Sequence, residues 1–203
     1  MTLKFTFENT EKYDVYKDII IMPLFTKELC TELVKISDYY KDEFKNNISF
    51  RNNYEKNKIG WDDLNLSEVS NLAFREYTEL YRQHVCPVLE KTFGKNSHSI
   101  DGWFSPTIIR YDRVGQATDI HHDVSHITLN VKLNNDYQGC DLYFPRQDFN
   151  AKDVPIGHAM IWPGAVTHPH YSTPLESGTK YSFVSWTWPP AWQAEGIENS
   201  VRI

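Results

Sequence analysis

From Trp103 onward apolar and polar residues alternate along this chain, and the alternation is broken only by short turn signals. Seven strand candidates follow, at 103–111, 117–123, 125–133, 140–145, 156–162, 165–171 and 180–188. Gly115, Asn134-Asn135-Asp136, Pro163-Gly164 and Ser177-Gly178 punctuate them. A run of short strands with such punctuation excludes a helical bundle and reads as a sandwich, jelly roll or barrel.

The first half supplies one or two further strands and two helices. Asp18 to Phe25 is a short apolar strand, and residues 1–8 alternate like another. Thr26 stands as an N-cap before Leu29, Cys30, Leu33, Val34, Ser37 and Tyr40, which recur at helical spacing. Lys41 to Asn65 is polar, with Trp61 as its large apolar landmark, and is expected to be a surface loop acting as a lid. Trp61, Asp62 or Asp63 would then reach the pocket. Ser67 is expected to open a second helix with Val69, Leu72, Ala73, Tyr77, Leu80, Tyr81 and Val85 on one stripe, limited or kinked by Pro87. The expectation is one domain over 1–203: helical support over about 18–95 and a mainly β core over about 100–190.

Composition removes several function classes. With 27 acidic against 21 basic residues and a formal charge of −6, the chain lacks the basic face that nucleic acid demands. No stretch approaches the ~18 apolar residues of a membrane span. Three cysteines are too few and too scattered for a disulfide framework. The first residues have neither a basic n-region nor an apolar h-region, so a reducing, cytoplasmic location is expected.

Six of the eight histidines lie between 121 and 170, inside the strand-rich half. In Asp119-Ile120-His121-His122-Asp123, a strand would project His121 and Asp123 from one face and His122 from the other. An imidazole and a carboxylate from one strand, joined by a distal histidine, make the 2-His-1-carboxylate set of non-haem Fe(II) oxygenases. His-x-Asp alone is a weak signal, because composition gives about half of one such motif by chance (8 × 14 / 203). With His170 47 residues downstream of Asp123 and Lys180 ten beyond it, chance falls to roughly one in twenty.

Lys180 heads a strand whose one face carries Ser182, Val184, Trp186 and Trp188, with Tyr181, Phe183, Ser185 and Thr187 on the other. A lysine on an inward aromatic face needs an anion, while a lysine at a rim simply reaches water. Residues 125–133 divide into Ile127, Leu129, Val131 and Leu133 against Thr128 and Asn130. Those two are ligand contacts if their face looks inward and ordinary surface residues if it looks out.

These residues resemble a known family. Arg110-Tyr111, His121-His122-Asp123, Ser125, Thr128-Leu129-Asn130-Val131, Leu133-Asn134 and Gly139-Cys140 are similar to the catalytic domain of procollagen lysyl hydroxylases. So are Trp162-Pro163-Gly164, Thr167-His168-Pro169-His170, Pro174, Gly178-Thr179-Lys180-Tyr181, and the N-terminal Pro23-Leu24-Phe25-Thr26 with Cys30-Thr31-Glu32-Leu33. The wider group is the prolyl and lysyl hydroxylases that use Fe(II) and 2-oxoglutarate. The resemblance implies a double-stranded β-helix, a jelly-roll, cupin-like core with flanking helices. It implies His121, Asp123 and His170 as iron ligands and Lys180 as the partner of the distal carboxylate of 2-oxoglutarate. Tyr111, Thr128 and Asn130 are implied as further cosubstrate contacts. His168 rivals His170 as the distal ligand, and the ten-residue spacing to the basic residue favours His170. His122, His126 and His158 are expected to be structural.

The implied activity is that of a dioxygenase, hydroxylating a lysyl or prolyl side chain in a protein or peptide. O2 is consumed and succinate and CO2 are released, with L-ascorbate as a candidate requirement. A free amino acid is the alternative substrate, and a monomer or homodimer is expected. Competing readings are a cupin-like metalloprotein that ignores 2-oxoglutarate, a zinc hydrolase on the same triad, and a binding module with a structural histidine cluster. The first has no use for a buried Lys180, the second works without O2, and the third binds no metal.

Overall fold

A two-residue hairpin opens the sheet: β1 (Asp14–Tyr16) pairs antiparallel with β2 (Ile19–Pro23), Tyr16 opposite Ile19. The turn residues Lys17 and Asp18 both take positive φ, the conformation that matches the twist of a tight hairpin. The structure, a computed structural model, describes residues 3–8, 10, 12–46, 61–94, 97 and 104–188, with side chains 42–46 excepted.

Helix α1 (Lys27–Asn46) begins where the sequence places it, because the Thr26 hydroxyl accepts the amide of Leu29 at 3.2 Å. It runs past Lys41, so the first residues of the expected loop are helical. The end of that loop is also regular. Strand β3 (Asp62–Asn65) lies along β4 (Phe104–Tyr111), with Asp62 opposite Arg110. Residues 47–60, the middle of the expected lid, and Trp103 lie outside the described residues.

The second helical region is three pieces. Asn65 caps α2 (Leu66–Val69) and Ser70 caps α3 (Asn71–Leu80), each side-chain oxygen accepting an amide of the first turn. Leu72, expected on the buried stripe, is exposed, because the capping break at Ser70 resets the helical phase. Tyr81–Val85 is a π-helical turn leading into α4 (Cys86–Phe93), where Pro87 sits at the start. Proline cannot donate to the preceding turn, and the wider π spacing accommodates it.

The rest is strand: β5 (Ile127–Lys132), β6 (Tyr137–Gly139), β7 (Leu142–Phe144), β8 (Phe149–Asn150), β9 (His158–Pro163), β10 (Tyr171–Ser172), β11 (Leu175–Gly178) and β12 (Lys180–Thr187). The major sheet has the order β1-β2-β9-β5-β12-β4-β3 and is antiparallel throughout. Two smaller sheets, β10-β7-β8 and β11-β6, complete the second layer.

Three strand candidates are corrected, the first being residues 1–8, whose described part 3–8 makes only an isolated bridge between Phe7 and Phe25. Residues 117–123 form no strand, and of 165–171 only Tyr171 enters one. The two segments touch at a single bridge between His121 and His170. The carbonyls of Asp119 and His168 are taken by the imidazoles of His121 and His170. A ladder cannot extend through them.

Alternation sorts the major sheet as expected. Ile108, Leu129, Val131, Ile161 and Phe183 face the helices and meet Leu33, Tyr77 and Tyr81 in the main core. On the opposite face Ile19, Met160 and Trp162 pack against Leu142 and Phe144 of the minor layer. Helices, major sheet and minor sheets therefore form three layers, and the space between the two sheets holds the site.

Gly157, at the head of β9, ties the end of β2 to β5 within the major sheet. Its carbonyl accepts the amides of Leu24 and Phe25, its amide donates to Lys132, and its φ is +82°. A Cβ there would overlap the Phe25 carbonyl. Gly157→Ala is expected to lower stability by about 2–3 kcal/mol, from strain plus lost backbone bonds, read by urea denaturation.

Candidate metal and cosubstrate site

Three donor groups converge at one end of the inter-sheet space. The ligand atoms of His121, Asp123 and His170 all lie within 4.8 Å of one another. Asp123 Oδ2 is 3.6 Å from His170 Nε2, and Oδ1 is 3.9 Å from His121 Nε2. The backbones of the two histidines exchange both amide–carbonyl bonds, His121 N to His170 O at 3.0 Å and the reverse at 2.9 Å. That pairing brings residues 49 apart in sequence side by side, with ring centroids 4.5 Å apart.

Each donor is oriented by a second contact. His121 Nδ1 lies 2.7 Å from the Asp119 carbonyl, and His170 Nδ1 lies 2.9 Å from that of His168. A carbonyl can only accept, so Nδ1 carries the proton in both rings and Nε2 presents a lone pair to the shared space. Burial pushes the imidazole of His170 below its usual range, with the neighbouring Asp123 charge opposing, so the ring is held neutral as a metal ligand requires. Phe144 and Trp162 pack against it and fix its plane. Asp123 Oδ2 accepts the Thr128 hydroxyl at 2.6 Å, and Thr128 in turn meets the Ser125 hydroxyl at 2.6 Å. Two imidazoles, one carboxylate and an open side suit Fe(II) better than a closed structural zinc centre.

The donors border a cleft of about 420 Å³, its open mouth included. Ile109, Tyr111, Thr128, Asn130, Trp162, Val184 and Trp186 line it from the major sheet, and Leu142 and Ser172 from the minor layer. The polar face of β5 therefore looks inward. Tyr111 is buried, its phenol pushed well above the usual range by desolvation, and its hydroxyl meets Ser172. Lys180 stands beside Tyr111 in register, 6% exposed, with its ammonium 5.4 Å from the Tyr111 ring centre. That ammonium donates to the Cys140 carbonyl at 2.6 Å, and burial pushes it below its usual range. It is an inward lysine and no rim residue.

Other candidates fall elsewhere. His168 is buried but turned from the cleft, its ring nitrogens meeting the Lys17 carbonyl and the Thr167 hydroxyl. His122 is exposed, and His126 and His158 are half-buried outside the donor cluster. Trp61 lines the cleft and faces Tyr111, but Asp62 does not, because Arg110 and Arg113 already hold its carboxylate. Thr118 and Ser172 join the site without a sequence signal of their own, since small hydroxyls are common in any sheet, and Ser125 and Trp162 join it with no role assigned from the sequence.

The Ser125–Thr128–Asp123 chain rests on Gly164, where a Cβ would overlap the hydroxyl and carbonyl of Ser125. Gly164→Ala is expected to weaken metal binding by about tenfold through displaced Asp123, with a smaller loss of thermal stability. Calorimetric titration with Mn(II) checks it.

No family model matches the sequence. Curated relatives do. The multifunctional procollagen lysine hydroxylase and glycosyltransferase of Rattus norvegicus is 29% identical over 180 residues, covering 85% of this chain and 24% of that protein. Procollagen-lysine,2-oxoglutarate 5-dioxygenase 2 of Homo sapiens is 26% identical over 185 residues with the same coverages. The chain is similar to the procollagen lysyl hydroxylases over most of its length. It spans about a quarter of their length.

Solved structures share the fold. A prolyl hydroxylase from Trichoplax adhaerens, in complex with a hypoxia inducible factor oxygen degradation domain peptide, matches with a TM-score of 0.66 at 16% identity, over 88% of this chain and 86% of that one. The viral collagen prolyl hydroxylase of Paramecium bursaria Chlorella virus 1, in its 2OG complex, matches at 0.58 and 17% identity, over 84% and 94%. The three-layer arrangement is the jelly-roll core that these hydroxylases share. Among the described residues no helix is long and apolar enough to cross a membrane.

Proposed function

We propose that the chain is an Fe(II)- and 2-oxoglutarate-dependent dioxygenase that hydroxylates an amino-acid side chain, lysyl or prolyl, in a protein or peptide. The observation that carries this reading is the convergence of His121, Asp123 and His170 beside a cleft lined by Tyr111, whose register partner is the buried Lys180. His121 and His170 hold Fe(II) through Nε2 and Asp123 holds it through a carboxylate oxygen. Lys180 meets the distal carboxylate of 2-oxoglutarate, which replaces the water an ammonium loses on burial. Tyr111, Thr128 and Asn130 line the same cleft; Thr128 acts chiefly by fixing Asp123, while Tyr111 and Asn130 face the cosubstrate.

Iron and 2-oxoglutarate together supply O2-dependent oxidation of a C–H bond to C–OH, with one oxygen atom passing to succinate and CO2 leaving. The chain's own residues bind, orient and exclude water. Trp61 and Trp186 line the cleft, shielding the reacting carbon and offering ring faces to an incoming side chain.

The test is succinate formation from 2-oxoglutarate with Fe(II) and ascorbate, with and without O2, over a panel of lysyl and prolyl peptides and free amino acids. O2-dependent succinate that rises with one peptide class supports the proposal and names the substrate. Absence of turnover across the panel, together with no calorimetric 2-oxoglutarate binding to metal-loaded protein, overturns it.

A further inference from the structure

Lys180 has a buried companion. Lys132 ends β5 on the strand face that also carries Thr128 and Asn130, both of which line the cleft. Its pairing partner on β12 is Ser182, two residues from Lys180 and on the same inward face. The two lysines therefore stand diagonally on adjacent strands, 7% and 6% exposed.

Their ammonium groups reach across to neighbouring segments of the minor layer. Lys180 donates to the Cys140 carbonyl at 2.6 Å, and Lys132 donates to the Lys152 carbonyl at 2.7 Å. Cys140 stands just before β7 and Lys152 lies in the 3-10 turn Ala151–Asp153 that follows β8, so the two accepting carbonyls flank the β7–β8 pair. Burial, and next to it the Lys180 charge, push the Lys132 ammonium below its usual range, which agrees with the two groups facing each other.

Each ammonium has three donors, and among the described residues each has one neutral acceptor and no ion pair. The nearby acidic groups are Asp141, half-buried, and Asp153, exposed; the charge of Asp141 bears on both lysines and that of Asp153 on Lys132. The Cys140 thiol stays protonated, its ionisation opposed by burial. Among the described residues these two buried cations on one inward face have neutral carbonyls and, for Lys180, the Tyr111 and Tyr137 rings as partners, and lack an anion to balance them.

We infer that Lys132 is a second cation for the distal carboxylate of the dicarboxylate cosubstrate, sharing with Lys180 the work of binding it. The inference rests on the function proposed above. Two point charges on separate strands bracket a carboxylate from two directions, as the two arms of one guanidinium would from a single side chain. Lys132 is a binding residue and takes no part in holding the metal.

Calorimetric titration of the Mn(II)-loaded full chain with 2-oxoglutarate tests this, with wild type compared to Lys132→Met. The dissociation constant is expected to rise about tenfold or more on loss of one charged contact. Mn(II) affinity is expected to stay unchanged, and the melting temperature without ligand to stay level or rise, because an unneutralised buried charge has been removed. A purely structural lysine gives the opposite pattern: a lower melting temperature with less than a threefold change in 2-oxoglutarate affinity. That result, or parallel losses of Mn(II) and 2-oxoglutarate affinity, overturns the inference. Lys132→Gln repeats the test if the methionine variant does not fold. Failure of wild type itself to bind 2-oxoglutarate defeats the parent reading, which separates that outcome from failure of Lys132 alone.

Discussion

Asp123→Ala is expected to abolish O2-dependent succinate formation, by ~1,000-fold or more, while leaving the fold in place. The carboxylate is the one anionic member of the donor cluster, so its loss removes both a ligand and the charge that balances a divalent ion. The two imidazoles keep their orientation, because it is set by the carbonyls of Asp119 and His168. Thr128 loses its bond to Asp123 but keeps Ser125, so no buried hydroxyl is stranded. Far-UV circular dichroism and the melting temperature of the unliganded variant should match wild type within a few degrees, whereas Mn(II) binding in calorimetry should vanish. A variant that keeps more than a tenth of wild-type turnover would remove Asp123 from the metal set and the oxygenase reading with it.

The core of the fold was legible because its long strands carry a clean period of two. β4, β5, β9 and β12 lie within a few residues of where alternation puts them, since one face of each meets the helices and the other the cleft. The strands that were missed, β1, β3, β6, β8 and β11, are two to four residues long, too short to show a period. The donor residues were legible through their identity and spacing, although the reasoning about strand faces was not the mechanism that assembles them. His121 and His170 meet at an isolated bridge, and His168 shares the parity of His170 yet points toward the β1–β2 turn. Parity rules need a continued ladder, and this segment has none. Lys132 was invisible for another reason: a lysine closing an apolar run reads as a strand end reaching solvent, and only the pairing with β12 turns it inward.

Arg110→Met is expected to cost about 3 kcal/mol of stability, the largest loss among substitutions outside the core packing. The guanidinium is 3% exposed and stands between two carboxylates, Asp62 at 3.3 Å and Asp112 at 3.1 Å. Arg113 joins the same pair, 3.0 Å from Asp62, so two cations and two anions form one neutral cluster. A methionine fills the volume but leaves the carboxylates with a single, half-exposed arginine, and desolvated charge without its partner is the expensive state. The loss also has an address. Asp62 begins β3, the edge strand that pairs with β4, and its neighbour Trp61 reaches the cleft against Tyr111. Freed of its clamp, that edge should fray first, so the KM for a peptide substrate is expected to rise while the Mn(II) affinity, set on the far side of the cleft, holds. Urea denaturation gives the stability term, and the cycle with Asp62→Leu identifies its origin. If unpaired charge is the cause, the double variant regains a large part of the loss. If the double variant is as unstable as Arg110→Met, the arginine acts through packing of its stem against the helices, and the ion cluster is not what pins β3.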